Sequence, residues 1–115
     1  MTKREQYELI FFKSKSPSWG SEIYCCKKDG AVNQFSHLQF IQRLTYKAEL
    51  NGLISDLEDA LKGKCYEQYF CTDATEDITI EFNFPNVIFG ERDLVITMLD
   101  LRDLLMEWRN FIDEN

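Results

Sequence analysis

A chain of 115 residues with a net charge of −7 has the length of one domain (1–115) and is anionic enough to disfavour nucleic acid and acidic lipid as partners. Its 44% hydrophobic and 14% aromatic content excludes a disordered chain and predicts a packed core. The charge is lopsided: residues 1–50 hold eight Lys/Arg against five Asp/Glu, whereas residues 51–115 hold five against fifteen.

Gln6–Lys13 mixes aromatic and aliphatic residues and predicts a strand. Ser14–Ser21 is a turn cluster, and a second strand, Glu22–Lys27, ends at the Asp29-Gly30 turn signal, which predicts an N-terminal hairpin. In Ala31–Leu44 the apolar positions Phe35, Leu38, Phe40, Ile41 and Leu44 fit neither the helical nor the strand period. Leu50, Leu53, Ile54, Leu57, Ala60 and Leu61 then follow helical spacing, with Thr45 as the expected N-cap and Gly63 at the expected C′ position. Asp56, Glu58 and Asp59 mark the opposite face of that helix, and Gly52 within it costs about 1 kcal/mol relative to alanine.

Tyr66–Thr72 is strand-like and Asp73–Asp77 reads as a tight turn. Ile78, Ile80, Phe82 and Phe84 alternate with Thr79, Glu81 and Asn83, the pattern of a half-buried strand. Pro85-Asn86 turns the chain, Val87–Phe89 is apolar, Gly90–Asp93 turns it again, and Leu94–Thr97 is a last strand. Thr97 with Asp100 resembles a capping box ahead of a second amphipathic helix marked by Leu101, Leu104, Leu105, Trp108, Phe111 and Ile112. The economical assembly is an α+β fold, an antiparallel sheet with a central helix and a C-terminal helix packed on one face.

The chemistry-bearing residues are few. His37 is the single histidine, and no CxxC or HxxxH spacing exists, so no metal or cofactor is expected. The five glycines form neither GxGxxG nor GxxxxGK[ST]. Lys3 and Arg4 are followed by Glu5 and Glu8, and the apolar run Leu9–Phe12 is short, so neither a signal peptide nor a membrane span is expected. Cys25, Cys26, Cys65 and Cys71 then read as reduced thiols of a cytoplasmic protein, with Cys25 and Cys26 on opposite faces of their strand. His37 reads as a surface or capping residue and Trp108 as core, and no catalytic residue is assigned.

Recognition of a basic protein remains. The candidate partner-binding carboxylates are Asp73, Glu76 and Asp77 in one loop, Glu91 and Asp93 in another, and Asp56, Glu58 and Asp59 on the first long helix. Trp19 and Tyr66, in turn contexts, are candidate aromatic anchors.

The segments LTYKAELNGLISDLEDALKGK, YFCT…ITIEFNF and LVITMLDLRDLLMEWRNFI resemble the small immunity proteins of bacterial toxin systems, notably those of contact-dependent growth inhibition. That resemblance implies a cytoplasmic protein; with no catalytic constellation in the sequence it is expected not to be an enzyme, and to be a monomer or weak dimer when free. Its partner would be the basic toxin domain of a cognate effector, a nuclease, RNase in preference to DNase, whose active site it blocks. An acidic secretion chaperone holding an effector segment is the alternative, and a small enzyme built on Asp73, Glu76, Asp77 or His37 is a third.

Overall fold

The computed structural model describes residues 2–15, 20, 22–64 and 79–114, together with the backbone of 69–70. In chain order these form α1 (Lys3–Gln6), β1 (Leu9–Lys15), β2 (Glu22–Lys28), a 3-10 helix (Asn33–Arg43), α2 (Lys47–Leu61), β3 (Tyr69–Phe70), β4 (Ile80–Asn83), β5 (Asn86–Phe89), β6 (Leu94–Thr97) and α3 (Met98–Glu114). The fold is α+β. Its strands make two antiparallel sheets, the hairpin β1–β2 and a four-stranded sheet in the order β3–β4–β5–β6.

The first strand starts later than its composition predicts. Residues 3–6 form one helical turn that Thr2 caps, its side chain accepting from the Glu5 amide. The strand then runs Leu9–Lys15, two residues into the predicted turn cluster. Leu9 and Phe11 point inward and are buried, whereas Ile10 and Phe12 face out. Across the pair, Cys26 is buried and Cys25 only partly so, the opposite-face placement that adjacent strand residues require.

Residues 33–43, where neither common period fits, are a 3-10 helix. Its turn of three residues stacks Phe35, Leu38 and Ile41 in one row, and Leu44 continues that row just past the end. Leu38, Ile41 and Leu44 are fully buried and Phe35 packs on the same core. A second row, Gln39 and Gln42, seals the edge of β2: their Oε1 atoms accept from the amides of Lys28 at 2.9 Å and Cys26 at 3.4 Å. Side-chain amides thus stand in for a missing strand.

In α2 the residues Leu50, Leu53, Ile54, Leu57 and Ala60 are buried. The N-cap is Tyr46, with no side-chain cap bond, and not Thr45, because the helix begins one residue later than predicted. Gly63 does occupy the C′ position with φ +81°, where a side chain would be strained.

In the larger sheet Ile80, Phe82, Val87, Phe89, Leu94 and Ile96 form the inward face, in matched register. Phe84 departs from the expected alternation. It lies in the β4–β5 turn, 52% exposed, before a cis Pro85. The predicted N-cap of α3 is present: Thr97 Oγ1 accepts from the Asp100 amide at 3.1 Å. The reciprocal half of the capping box is not formed, because the Asp100 carboxylate turns to Tyr7 and Lys3.

Helix α3 ties the halves together. Trp108 is fully buried, donates its indole N–H to the Leu44 carbonyl at 3.0 Å, and lies edge-on to Phe11 at 5.0 Å between centroids. Phe111 stacks beside it at 5.7 Å, and Tyr24 meets both rings edge-on. One continuous core therefore joins hairpin, 3-10 helix, sheet and both long helices.

Candidate functional site

The turn between β5 and β6 displays Glu91 and Asp93, and backbone geometry fixes how. Gly90 has φ +65°, so the turn favours glycine there; a Cβ would lie 2.4 Å from Asp93 Oδ2, the end of an exposed side chain that can swing aside. The Gly90 amide donates to the Thr79 carbonyl at 2.8 Å and the Asp93 amide to the Phe89 carbonyl at 3.0 Å, which fastens the turn to β4 and β5. Arg92, at φ +68°, takes a left-handed conformation, and Glu91, Arg92 and Asp93 are all exposed.

Opposite that turn lies the third row of the 3-10 helix, His37, Phe40 and Arg43. Phe40 anchors it by packing on Phe89, with ring centroids 5.8 Å apart. Between turn and helix opens a cleft of about 470 Å³, lined by Ser36, His37, Gln39, Phe40, Gln42, Arg43, Thr79, Gly90, Glu91 and Asp93. His37 Nε2 is 3.8 Å from Asp93 Oδ2, close enough for charge attraction when the imidazole is protonated but too long for a hydrogen bond. The cleft has carboxylates on one wall and amides and a guanidinium on the other.

The other candidates are distributed differently. Asp56, Glu58 and Asp59 lie on α2, where Asp56 is exposed and the other two are partly so, and none of them lines the cleft. Asp59 has Lys64 at 3.8 Å. Asp73, Glu76, Asp77, Trp19 and Tyr66 lie outside the described residues. Two candidates thus stand together at the cleft, and three lie apart from it on α2, where Asp56 and Asp59 are neighbours one turn apart and Glu58 points to another side.

Among the described residues, the basic first half neutralises much of α3. Lys3 meets Asp100 at 2.8 Å, Lys47 pairs with Asp113, and Arg4 approaches Glu107 at 3.9 Å. The Glu107 carboxylate also accepts the backbone amides of Lys3 and Arg4, at 2.8 and 3.2 Å. Arg102 pairs with its neighbour Asp103 at 3.0 Å. Burial pushes the Asp100 carboxyl up, but hydrogen bonds from Lys3 and Tyr7, the Lys3 charge and the Thr97 hydroxyl outweigh it and hold it below the usual carboxylate range.

No protein-family model, curated protein or solved structure matches this chain. Among the described residues no helix is long and apolar enough to cross a membrane, and no three His, Cys, Asp or Glu side chains converge as metal ligands.

Sequence reasoning placed Glu91 and Asp93 but missed the other wall. The signal was available as three interleaved rows of period three: Phe35/Leu38/Ile41/Leu44, Ser36/Gln39/Gln42 and His37/Phe40/Arg43.

Proposed function

We propose that this chain is a protein-binding module of the immunity type, which neutralises a bacterial toxin domain in the cytoplasm by covering a basic, nuclease-like surface. The observation that supports it most is where carboxylates reach water away from α3. Intramolecular pairs use Lys3, Arg4 and Lys47 on α3. The stretch Asn51–Leu61 of α2 holds three carboxylates and no Lys or Arg, and Glu91 is exposed at the cleft rim. These two groups would accept from lysine and arginine side chains that otherwise hold phosphate. The net charge of −7 would speed encounter with such a partner.

The test is to read the adjacent upstream gene and, where it encodes an exported protein, to co-express the C-terminal domain of that protein with this chain. A complex of nanomolar affinity that weakens as salt rises is expected, together with rescue of cells from that domain. Charge reversal at Asp56, Glu58 and Asp59, or at Glu91 and Asp93, should mainly slow association. A protein that neither binds that domain nor protects cells from it refutes the reading.

A further inference from the structure

We propose that the open edge of β1 is a self-association site, where two copies pair β1 antiparallel to β1 about a two-fold axis at Phe11 and merge their hairpins into one four-stranded sheet. This inference is independent of the acidic-surface reading, since it concerns the hairpin in the basic half of the chain.

The hydrogen-bond phase of the hairpin defines the edge. The Asp29 amide donates to the Glu8 carbonyl at 2.8 Å, and the antiparallel register pairs Ile10 with Lys27 and Phe12 with Cys25. Alternation along the ladder then makes Ile10, Phe12 and Ser14 the residues bonded to β2, and turns the amides and carbonyls of Leu9, Phe11, Lys13 and Lys15 the other way. On β2 the outward amides, Cys26 and Lys28, are taken by Gln42 and Gln39. The fold thus protects one edge of its hairpin with two glutamines. On the other edge, among the described residues, no strand lies beside Leu9 and Phe11. A groove of about 380 Å³ opens there, lined by Arg4, Glu5, Leu9, Ile10, Phe11 and Phe111. Exposed edges of this kind are templates for strand addition.

The chemistry of β1 selects a second copy as the occupant. Glu5 and Glu8 precede the strand and Lys13 and Lys15 end it; within the chain Lys13 meets Glu22 at 2.8 Å and the Glu8 carboxylate accepts from the Val32 amide at 3.1 Å, so Glu5 and Lys15 are the charges that pairing brings into play. Antiparallel self-pairing sets the basic end of each copy beside the acidic end of the other, whereas parallel pairing would set like on like. With the axis at Phe11, Ile10 of one copy lies opposite Phe12 of the other, in a non-hydrogen-bonded pair with Cα atoms about 4.5 Å apart. Ile10 and Phe12 are 43% and 37% exposed in the single chain, and Ile23, on the same outer face, is 46% exposed. Pairing gathers two copies of Ile10 and Phe12 into one apolar row, which covers surface that the single chain leaves in water.

Sedimentation velocity of the full chain from about 1 to 300 µM is expected to show a monomer–dimer equilibrium. The double variant I10K/F12K, which leaves the core untouched, should weaken it at least about tenfold. The register is read separately by crosslinking, in a C25S/C65S/C71S background. A mixture of I10C and F12C chains should form disulfide-linked dimer at least about fivefold faster than either chain alone, because only the mixed pair is directly opposed. A chain that stays monomeric throughout, even if its edge accepts an unrelated extended peptide, overturns the proposal. So does a dimer indifferent to I10K/F12K, or crosslinking with no preference for the mixed pair.

Discussion

Replacing Tyr7 by phenylalanine tests whether the N-terminal turn is held to α3 by a charged hydrogen bond. The Tyr7 hydroxyl donates to the Asp100 carboxylate, while its ring lies edge-on to Phe35 at 5.1 Å. Phenylalanine keeps the ring contact and opens no cavity larger than one oxygen, so the change isolates the hydrogen bond. Hydrogen bonds to charged groups contribute about 1.5–3 kcal/mol. Because Lys3 and Thr97 still serve Asp100, the lower end applies, about 1.5 kcal/mol, or roughly 6 °C in Tm for a domain of this size. The pH dependence supplies the sharper check. Asp100 titrates below its ordinary 3.8 when folded, so its contribution is complete above roughly pH 5 and is lost as pH falls through the folded value. The difference between wild type and Tyr7→Phe should therefore be constant from pH 5 to 8 and shrink toward pH 3 in urea titrations. At the alkaline end, burial first and then Asp100 hold the Tyr7 hydroxyl protonated well above its ordinary 10.0. Wild-type stability should accordingly fall above about pH 10 with a component that the variant lacks. A difference under about 0.5 kcal/mol at pH 7, or one unchanged down to pH 3, refutes the reasoning.

Further outcomes follow from the packing. Gly52→Ala should raise stability by about 0.5–1 kcal/mol in chemical denaturation, since the position is helical and a Cβ there meets nothing within 4 Å. Trp108→Phe should cost about 3 kcal/mol, because it leaves the buried Leu44 carbonyl unpaired and the aromatic cluster underfilled. Gly90→Ala should lower Tm by several degrees, at a cost of about 1 kcal/mol, through the positive φ. In a C65S/C71S background Cys25 should react with a thiol reagent in the native state and Cys26 only on unfolding; burial first, and then Cys25, push the Cys26 thiol up to about 12.

The two long helices were legible because their stripes repeat locally: Leu50 to Ala60 and Leu101 to Trp108 are buried on the faces their spacing marks. The hairpin was legible in the same way, from strand composition on either side of a turn cluster. The 3-10 helix was not, since a three-residue period over eleven residues is rare and was read against periods of 3.6 and 2. Phe84 followed the alternation of its strand in sequence but fell past the last paired residue, Asn83, where turn geometry takes over. At the cleft, Glu91 and Asp93 could be named as exposed turn residues, but not their neighbours His37 and Arg43, about fifty residues away along the chain.

The amino-acid order alone determined the α+β class, the apolar faces of both long helices, the strand pair at the start and the polarity of charge between the halves. Only the tertiary structure decided how that charge is spent: Lys3, Arg4 and Lys47 close on α3, while α2 and the β5–β6 turn keep carboxylates toward water. The reason is physical. Periodicity is a local property of neighbouring residues, whereas the partner of a charge or of an edge amide is set by chain segments that meet only when the core closes.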